Sequence, residues 1–370
     1  MQQQSYTRSQ LLTLGLIVAL TPALRLFPAE SAAAAGRAAW LTPLAALPLG
    51  WGWLYLLRRV LALREPGEDL PQLALRLLGP RAGRVAAAAL GLWALGYTAF
   101  VLRAGAERLV CTVYPHAAPR AFLPVTGALA LCGALAGRRS LVRMARLLRP
   151  LLLGVPALLF LFTLPQLRLD NLWPVTRADL WPVVKGALPA LDIVTGAGLA
   201  MSFLVGGTRE RPGAFRALAG WAAALSALLT ALALAVTGCL GAEIAAELTH
   251  PFFALVRTLV LFGSVERVEA LVVMLWIFPD FLCAAVFLGA GQRCLRLLPK
   301  RSGSAPDARG EGWLTAACAL AVTGLALVLA PQPQLLARLS TRLIPAVNLA
   351  LCFTLIPLLY IVGRKKQAEN

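Results

Sequence analysis

Acidic residues are scarce in this chain and histidine is nearly absent: 17 Asp and Glu and two His stand against 35 Lys and Arg in 370 residues. Charged residues make up only 14%, where a soluble domain carries about 25%. A soluble enzyme and a disordered chain are both excluded by that shortage. The two histidines, His116 and His250, are too few to build a multi-histidine metal centre or to suggest a histidine-dependent triad. No HExxH, GxSxG or GxxxxGK[ST] pattern occurs, so neither enzymatic activity nor a cofactor is expected. The seven cysteines are scattered without a CxxC pair, which argues against a zinc site and a disulfide scaffold.

Apolar residues are abundant instead, 59% of the chain, with a mean hydropathy of +0.74. They fall in ten segments, at 11–28, 39–57, 85–102, 121–136, 150–164, 187–205, 218–240, 270–291, 313–330 and 344–362. A spanning helix needs about 20 apolar residues, so the expected fold is an all-α membrane protein of about ten transmembrane helices in one domain. The connections leave no room for a water-soluble domain. Pro22 and Arg25 interrupt the first segment, which is therefore read as a span and not as a signal peptide.

The net charge of +18 belongs to arginines flanking these segments; no separate basic module points to nucleic acid. With the N-terminus inside, the inner connections hold 23 Lys and Arg, the outer ones 11, and Arg25 lies within the first span. Positive residues favour the cytoplasmic side, so both termini are expected there. Two inner connections are amphipathic. Leu70, Leu73 and Leu77 share a helix face ending at Gly79-Pro80, and Leu141, Met144 and Leu148 share another beside Arg139, Arg143 and Arg146. Both are expected to lie against anionic lipid, with docking of a partner subunit as the alternative. The phrase Leu-Trp-Pro-Val occurs twice between spans five and six, at 172–175 and 180–183. It reads as a structured outer connection with tryptophans at headgroup level.

Chemistry is confined to a few polar or helix-breaking residues within the spans. Thr21, Pro22 and Arg25 lie in span one; Asp192, Thr195, Gly196 and Gly198 in span six; Pro279 and Asp280 in span eight. An ionisable group in the hydrocarbon core faces a cavity or a partner. Dividing the chain near residue 165 leaves five spans on each side, each half opening on an interrupted span. The halves, 1–164 and 165–370, then have opposite orientation. Inverted repeats whose first helices break at the midplane build ligand sites in many secondary transporters. The expected site therefore comprises Thr21, Pro22, Arg25, Asp192, Thr195, Gly196 and Gly198, taking a small zwitterion; Arg25 and Asp192 either pair as an outer gate or clamp, or Arg25 snorkels outward while Asp192 lies near the interface. Asp280 is the candidate for ion or proton coupling, or else caps the helix restarted after Pro279. Arg103 with Glu107, and Glu266, Arg267 and Glu269, are read as local ion pairs at span ends. Ser264 is read as an N-cap.

Several stretches resemble the endospore germination permease family, the B subunit of spore nutrient-germinant receptors. They are Ser9-Gln10-Leu11-Leu12, Ala35 to Leu41, the basic run Gly137 to Leu148 with Arg143, Asp170-Asn171-Leu172-Trp173-Pro174-Val175, Pro251 with Arg257, and Glu266 to Ala270. The chain departs from the family at Ala118-Pro119, where Thr-Pro is usual, and at Ala197 after Gly196, where an acidic residue is usual. Asp192, one turn earlier, is the available substitute. The resemblance implies the ten-helix fold of the amino acid-polyamine-organocation superfamily and residence in the spore inner membrane. It further implies recognition of an amino acid or similar nutrient, and partnership with an A subunit and a lipoprotein C subunit. A coupled amino acid transporter and a ligand-free structural subunit are the alternative readings.

Overall fold

The computed structural model describes residues 6–208, 215–258, 269–299, 308–329 and 332–369. Its helices are α1 (Arg8–Arg25), α2 (Phe27–Ala35), α3 (Thr42–Leu61), α4 (Leu70–Thr112), α5 (Leu123–Thr163), α6 (Leu180–Ser202), α7 (Phe215–Leu240), α8 (Ala242–Glu247), α9 (Pro251–Arg257), α10 (Glu269–Arg296), α11 (Ala308–Val328), α12 (Pro333–Arg338) and α13 (Ile344–Glu369). No strand occurs among the described residues; one isolated bridge pairs Tyr6 with Thr208. Among the described residues six helices are long and apolar enough to cross a membrane, seven if the bent pair at the N-terminus counts as one crossing. α4 and α5 each consist of two helices meeting at a non-helical glycine, Gly79 (φ 81°) and Gly137 (φ 82°), so apolar segments four and five keep separate helices. A straight helix of the 41 residues of α5 would be about 60 Å long, twice the hydrocarbon thickness.

Helix one is interrupted, but not at Thr21-Pro22. The Leu26 N–H still bonds to the Pro22 carbonyl, so α1 runs past Pro22 and ends at Arg25. The break falls at Leu26 (φ −129°), with Pro28 in the first turn of α2, and turns the chain by 58°. Pro28 lacks an N–H and restricts Phe27, so it starts a new helix more readily than it continues an old one. Helix six departs further from expectation. α6 is continuous from Leu180 to Ser202, and its glycines serve packing instead. A Cβ on Gly198 would stand 2.5 Å from the ring of Trp53, while Thr195 turns its hydroxyl back to the Leu191 carbonyl at 2.9 Å. The helix ends only at Phe203, followed by a 3-10 turn at Val205–Gly207.

The two amphipathic inner segments are helical, with Gly79 (φ 81°) marking the end of the first. Both apolar faces pack against the core, the first fully and the second through Leu141, with Met144 and Leu148 half-buried. Leu70, Leu73, Leu77, Leu141, Val142 and Ala145 are buried within the protein core, while Arg139, Arg143 and Arg146 stay exposed. The outer connection before α6 is ordered, with Arg37 donating to the Trp173 carbonyl at 3.1 Å and Trp40 meeting Trp173 edge to face. Trp173 and Trp181 remain exposed, as an interfacial belt requires. Arg103 and Glu107 form the anticipated pair at 2.6 Å, one helical turn apart. The readings for Ser264, Glu266 and Arg267 lie outside the described residues, as does the side chain of Glu269.

Candidate functional site

The anticipated residues divide into two groups around the middle of the bundle. The first centres on Asp192. Its carboxylate accepts from Asn348 Nδ2 on α13 at 2.6 Å, and the same amide reaches the Asp192 carbonyl at 3.2 Å and Thr195 Oγ1 at 3.1 Å. Gly196 faces this amide, since a Cβ there would lie 3.5 Å from it. Asp192, Gly196 and Asn348 line a hollow with Pro22, Trp93 and Tyr97 whose volume is ≈ 20 Å³, room for about one water. The bundle is closed around its centre.

The second group centres on Asp280 of α10. One carboxylate oxygen accepts a hydrogen bond from Arg108 of α4, and the guanidinium of Arg108 also stands over Trp276, 5.5 Å from the ring centre. Gly105 lets the two helices meet, because a Cβ there would be 3.1 Å from the Asp280 carboxylate. Thr21 and Arg25 are further neighbours of that carboxylate. Arg25 is buried and lies over Phe100 at 4.5 Å, yet its Nε and Nη1 bond to nothing among the described residues. Arg108 Nε and Nη1 are likewise buried without hydrogen-bond partners among the described residues. A buried polar group costs several kcal/mol when unsatisfied, so such a cluster calls for an explanation.

The expected Arg25–Asp192 pair is not formed. Arg25 is near enough to act on the Asp192 charge, but Asn348 occupies the carboxylate. Gly198 stands apart under Trp53, which itself donates to the Cys352 carbonyl at 3.0 Å. Sequence reasoning passed over Arg108, counted as a connection residue, and Asn348. A lone amide inside an otherwise apolar span was a readable signal, since such groups bond across helices.

A third cluster, not anticipated, closes one end of the bundle. Asp69 caps α4 and is almost fully buried; it accepts from Arg138 at 2.8 Å and from the Gly206 N–H at 2.8 Å, with Arg293 Nε 3.7 Å away. A Cβ on Gly206 would collide with this carboxylate and with the Gly67 carbonyl, 2.5 Å off, so only glycine admits the contact. Arg293 reaches the Phe203 carbonyl at 3.1 Å, Arg64 binds Thr208 Oγ1 at 3.0 Å, and the Tyr6 hydroxyl donates to the Leu204 carbonyl. The N-terminal segment, α4, α5 and α10 are thereby tied to the end of α6.

Two solved transporters share this architecture. MhsT in complex with L-phenylalanine superposes with a TM-score of 0.67 at 15% identity, over 98% of this chain and 89% of its own. A sodium-coupled sialic acid symporter in a substrate-bound, outward-open state gives a TM-score of 0.65 at 13% identity, over 98% and 82%. At such identities the likeness concerns fold alone, and it bears out the inverted-repeat transporter architecture expected from the order of the spans. No curated protein matches the sequence. The family described as spore germination protein, a group of spore permeases, matches residues 7–304, most of the chain. With these helices and that match, the chain is an integral membrane protein belonging to the spore germination permease family.

Proposed function

We propose that this protein is the permease-like membrane subunit of a spore germinant receptor. In this reading it binds a small nutrient, an amino acid, between α1 and α6, and signals to an A subunit and a lipoprotein C subunit at the spore inner membrane, with both termini cytoplasmic. The observation that carries the reading is a buried guanidinium whose Nε and Nη1 bond to nothing among the described residues, close to a carboxylate that accepts from an amide. Arg25 presents free donors in the fork geometry that suits a carboxylate. Asp192 presents the charge that suits an ammonium, beside Gly196, where the backbone is unshielded. An α-amino acid carries both groups on one carbon. Thr21 and Pro22 belong to the same turn of α1, and Thr195 holds Asn348 in place. Gly198 contributes by admitting Trp53, not by touching ligand.

The closed hollow holds no amino acid as it stands, so binding requires a wider conformation. A ligand that prefers one of the two shifts their populations, which is the signal such a subunit would transmit. The second reading is a proton- or sodium-coupled amino acid transporter, favoured by the fold shared with a sodium-coupled symporter. Under it Asp280 is the coupling residue. Arg108 already places a fixed positive charge on Asp280, which supports sensing over ion coupling. A structural subunit without ligand is the third.

The test is a thermal-shift screen of the purified protein against amino acids, nucleosides and sugars. A binder raises the melting temperature with its concentration. The proposal expects an amino acid to do so, and Asp192→Asn and Arg25→Met each to remove the rise. A rise that persists in both variants removes these residues from the site. Absence of any binder while the A and C subunits still co-purify establishes the structural role. Uptake of the same amino acid into proteoliposomes, dependent on a proton or sodium gradient, establishes the transporter.

A further inference from the structure

Beside the Asp69 cluster lies a cavity of ≈ 490 Å³ that the nutrient-binding proposal does not use, bounded by α4, α5, α10 and α11. Its polar lining includes Asp69, Gln72, Arg138, Gln292, Arg293 and Arg296. Three guanidinium groups against one carboxylate leave the lining positive. The carboxylate is already engaged by Arg138 and the Gly206 N–H, so it has little left to offer a cation. Gln292 is almost fully buried, lines the cavity and has an Nε2 group with no hydrogen-bond partner among the described residues. A buried amide donor left idle in a positive cavity suits an oxyanion.

The surroundings narrow the class of ligand. Leu135 on the cavity wall is 52% exposed, so one side opens towards an apolar environment. Trp313, next to the lining residue Gly312, is 77% exposed, which suits the headgroup level where tryptophan ring and indole N–H each find their medium. Arg138, Arg293 and Arg296 all belong to connections that the charge asymmetry assigns to the cytoplasmic side. Basic pockets between helices at that level bind anionic lipid headgroups.

We infer that this cavity binds a phosphate-bearing anion, the phosphodiester headgroup of an anionic phospholipid, through Gln292, Arg293 and Arg296. Its occupant shares Arg293 with the Asp69 cluster and so adds to the closure of this end of the bundle. The chemistry is that of a phosphate oxygen; a free phosphate ester offers the same oxygens without acyl chains, and the experiment separates the two.

The full-length protein is reconstituted in nanodiscs of phosphatidylcholine alone or with phosphatidylglycerol, and lipid retained on the protein is counted by native mass spectrometry alongside the melting temperature. Phosphatidylglycerol is expected to be retained and to raise the melting temperature. Gln292→Glu, which puts a negative charge at the idle donor and leaves Asp69, Arg138 and Arg293 in place, is expected to weaken retention by about fivefold or more. Gln292→Leu, which removes the donor at similar size, is expected to fall between. Equal retention of both lipids by the wild type overturns the inference, as does undiminished phosphatidylglycerol preference in Gln292→Glu. Should Gln292→Glu fail to fold, Gln292→Leu alone decides by the same measure. Glycerol phosphate added to phosphatidylcholine nanodiscs distinguishes the source. Stabilisation that Gln292→Glu abolishes upholds the anion site and assigns it to a soluble ester, and no effect beside retained phosphatidylglycerol assigns it to lipid.

Discussion

The Asp69 cluster and the mid-bundle cluster are built from the same residue types and differ in how completely they are satisfied. Around Asp69 both carboxylate oxygens are used, one by Arg138 and Arg293 and the other by Arg138 and the Gly206 N–H. In the middle of the bundle Arg25 and Arg108 keep donors that bond to nothing among the described residues. A satisfied buried network rigidifies what it joins, while a partly satisfied one carries a standing cost. The difference separates a structural tie from a place kept for something else. The Asp69 cluster holds four segments to the end of α6, whereas the middle has polar capacity that closure of the bundle does not consume.

Breaking the tie should have the largest effect. Asp69→Ala leaves Arg138 and Arg293 facing each other without a counter-charge, and removing one partner of a buried pair costs about 3–5 kcal/mol. Thermal unfolding in detergent should show it as a marked fall in melting temperature. Next comes Arg108→Met, which strands Asp280 and should cost about 3 kcal/mol, while Arg108→Met combined with Asp280→Leu should recover most of that loss. A double variant no better than the single one would mean the pair does not act as a unit. Gly198→Ala forces a methyl against the Trp53 ring and should cost about 1–3 kcal/mol by overpacking; no change in melting temperature would show that α6 and α3 pack more loosely than described. Asn348→Leu should lose about 1–3 kcal/mol by leaving the Asp192 carboxylate without its donor. The smallest effect lies on the surface. Burial raises the Glu68 carboxyl, but hydrogen bonds from Arg76 and the Glu65 N–H outweigh it and hold the group below its ordinary value of 4.5. Its contribution is therefore present above about pH 4.5 and lost as pH falls through the lowered value. Glu68→Gln should destabilise slightly at pH 7 and not at all once the carboxyl is protonated, measured by melting curves across that range.

Much of the fold was legible from local composition. The described parts of the ten apolar segments are largely helical, the end of the amphipathic segment at Gly79 was readable, and so was the Arg103–Glu107 pair, because each depends on residues within a turn or two. The break in helix one was legible as an event and misplaced by one turn, since two prolines competed for it and Pro28 prevailed. The break in helix six was misread. Thr195, Gly196 and Gly198 look like helix breakers in sequence, yet an intact helix uses them to admit Trp53 and Asn348. Likewise the amphipathic faces at 70–77 and 141–148 revealed that something apolar covers them, but not that the covering is the protein itself.

Membrane residence, helical character and the positions of the scarce charges within the spans were determined by sequence alone, because hydropathy over some twenty residues decides them. Tertiary structure decided which charge meets which. Asp280 lies 172 residues from Arg108, and Asp192 lies 156 from Asn348. Such pairings follow from how helices rotate and cross when they pack, and no property of either segment taken separately encodes them.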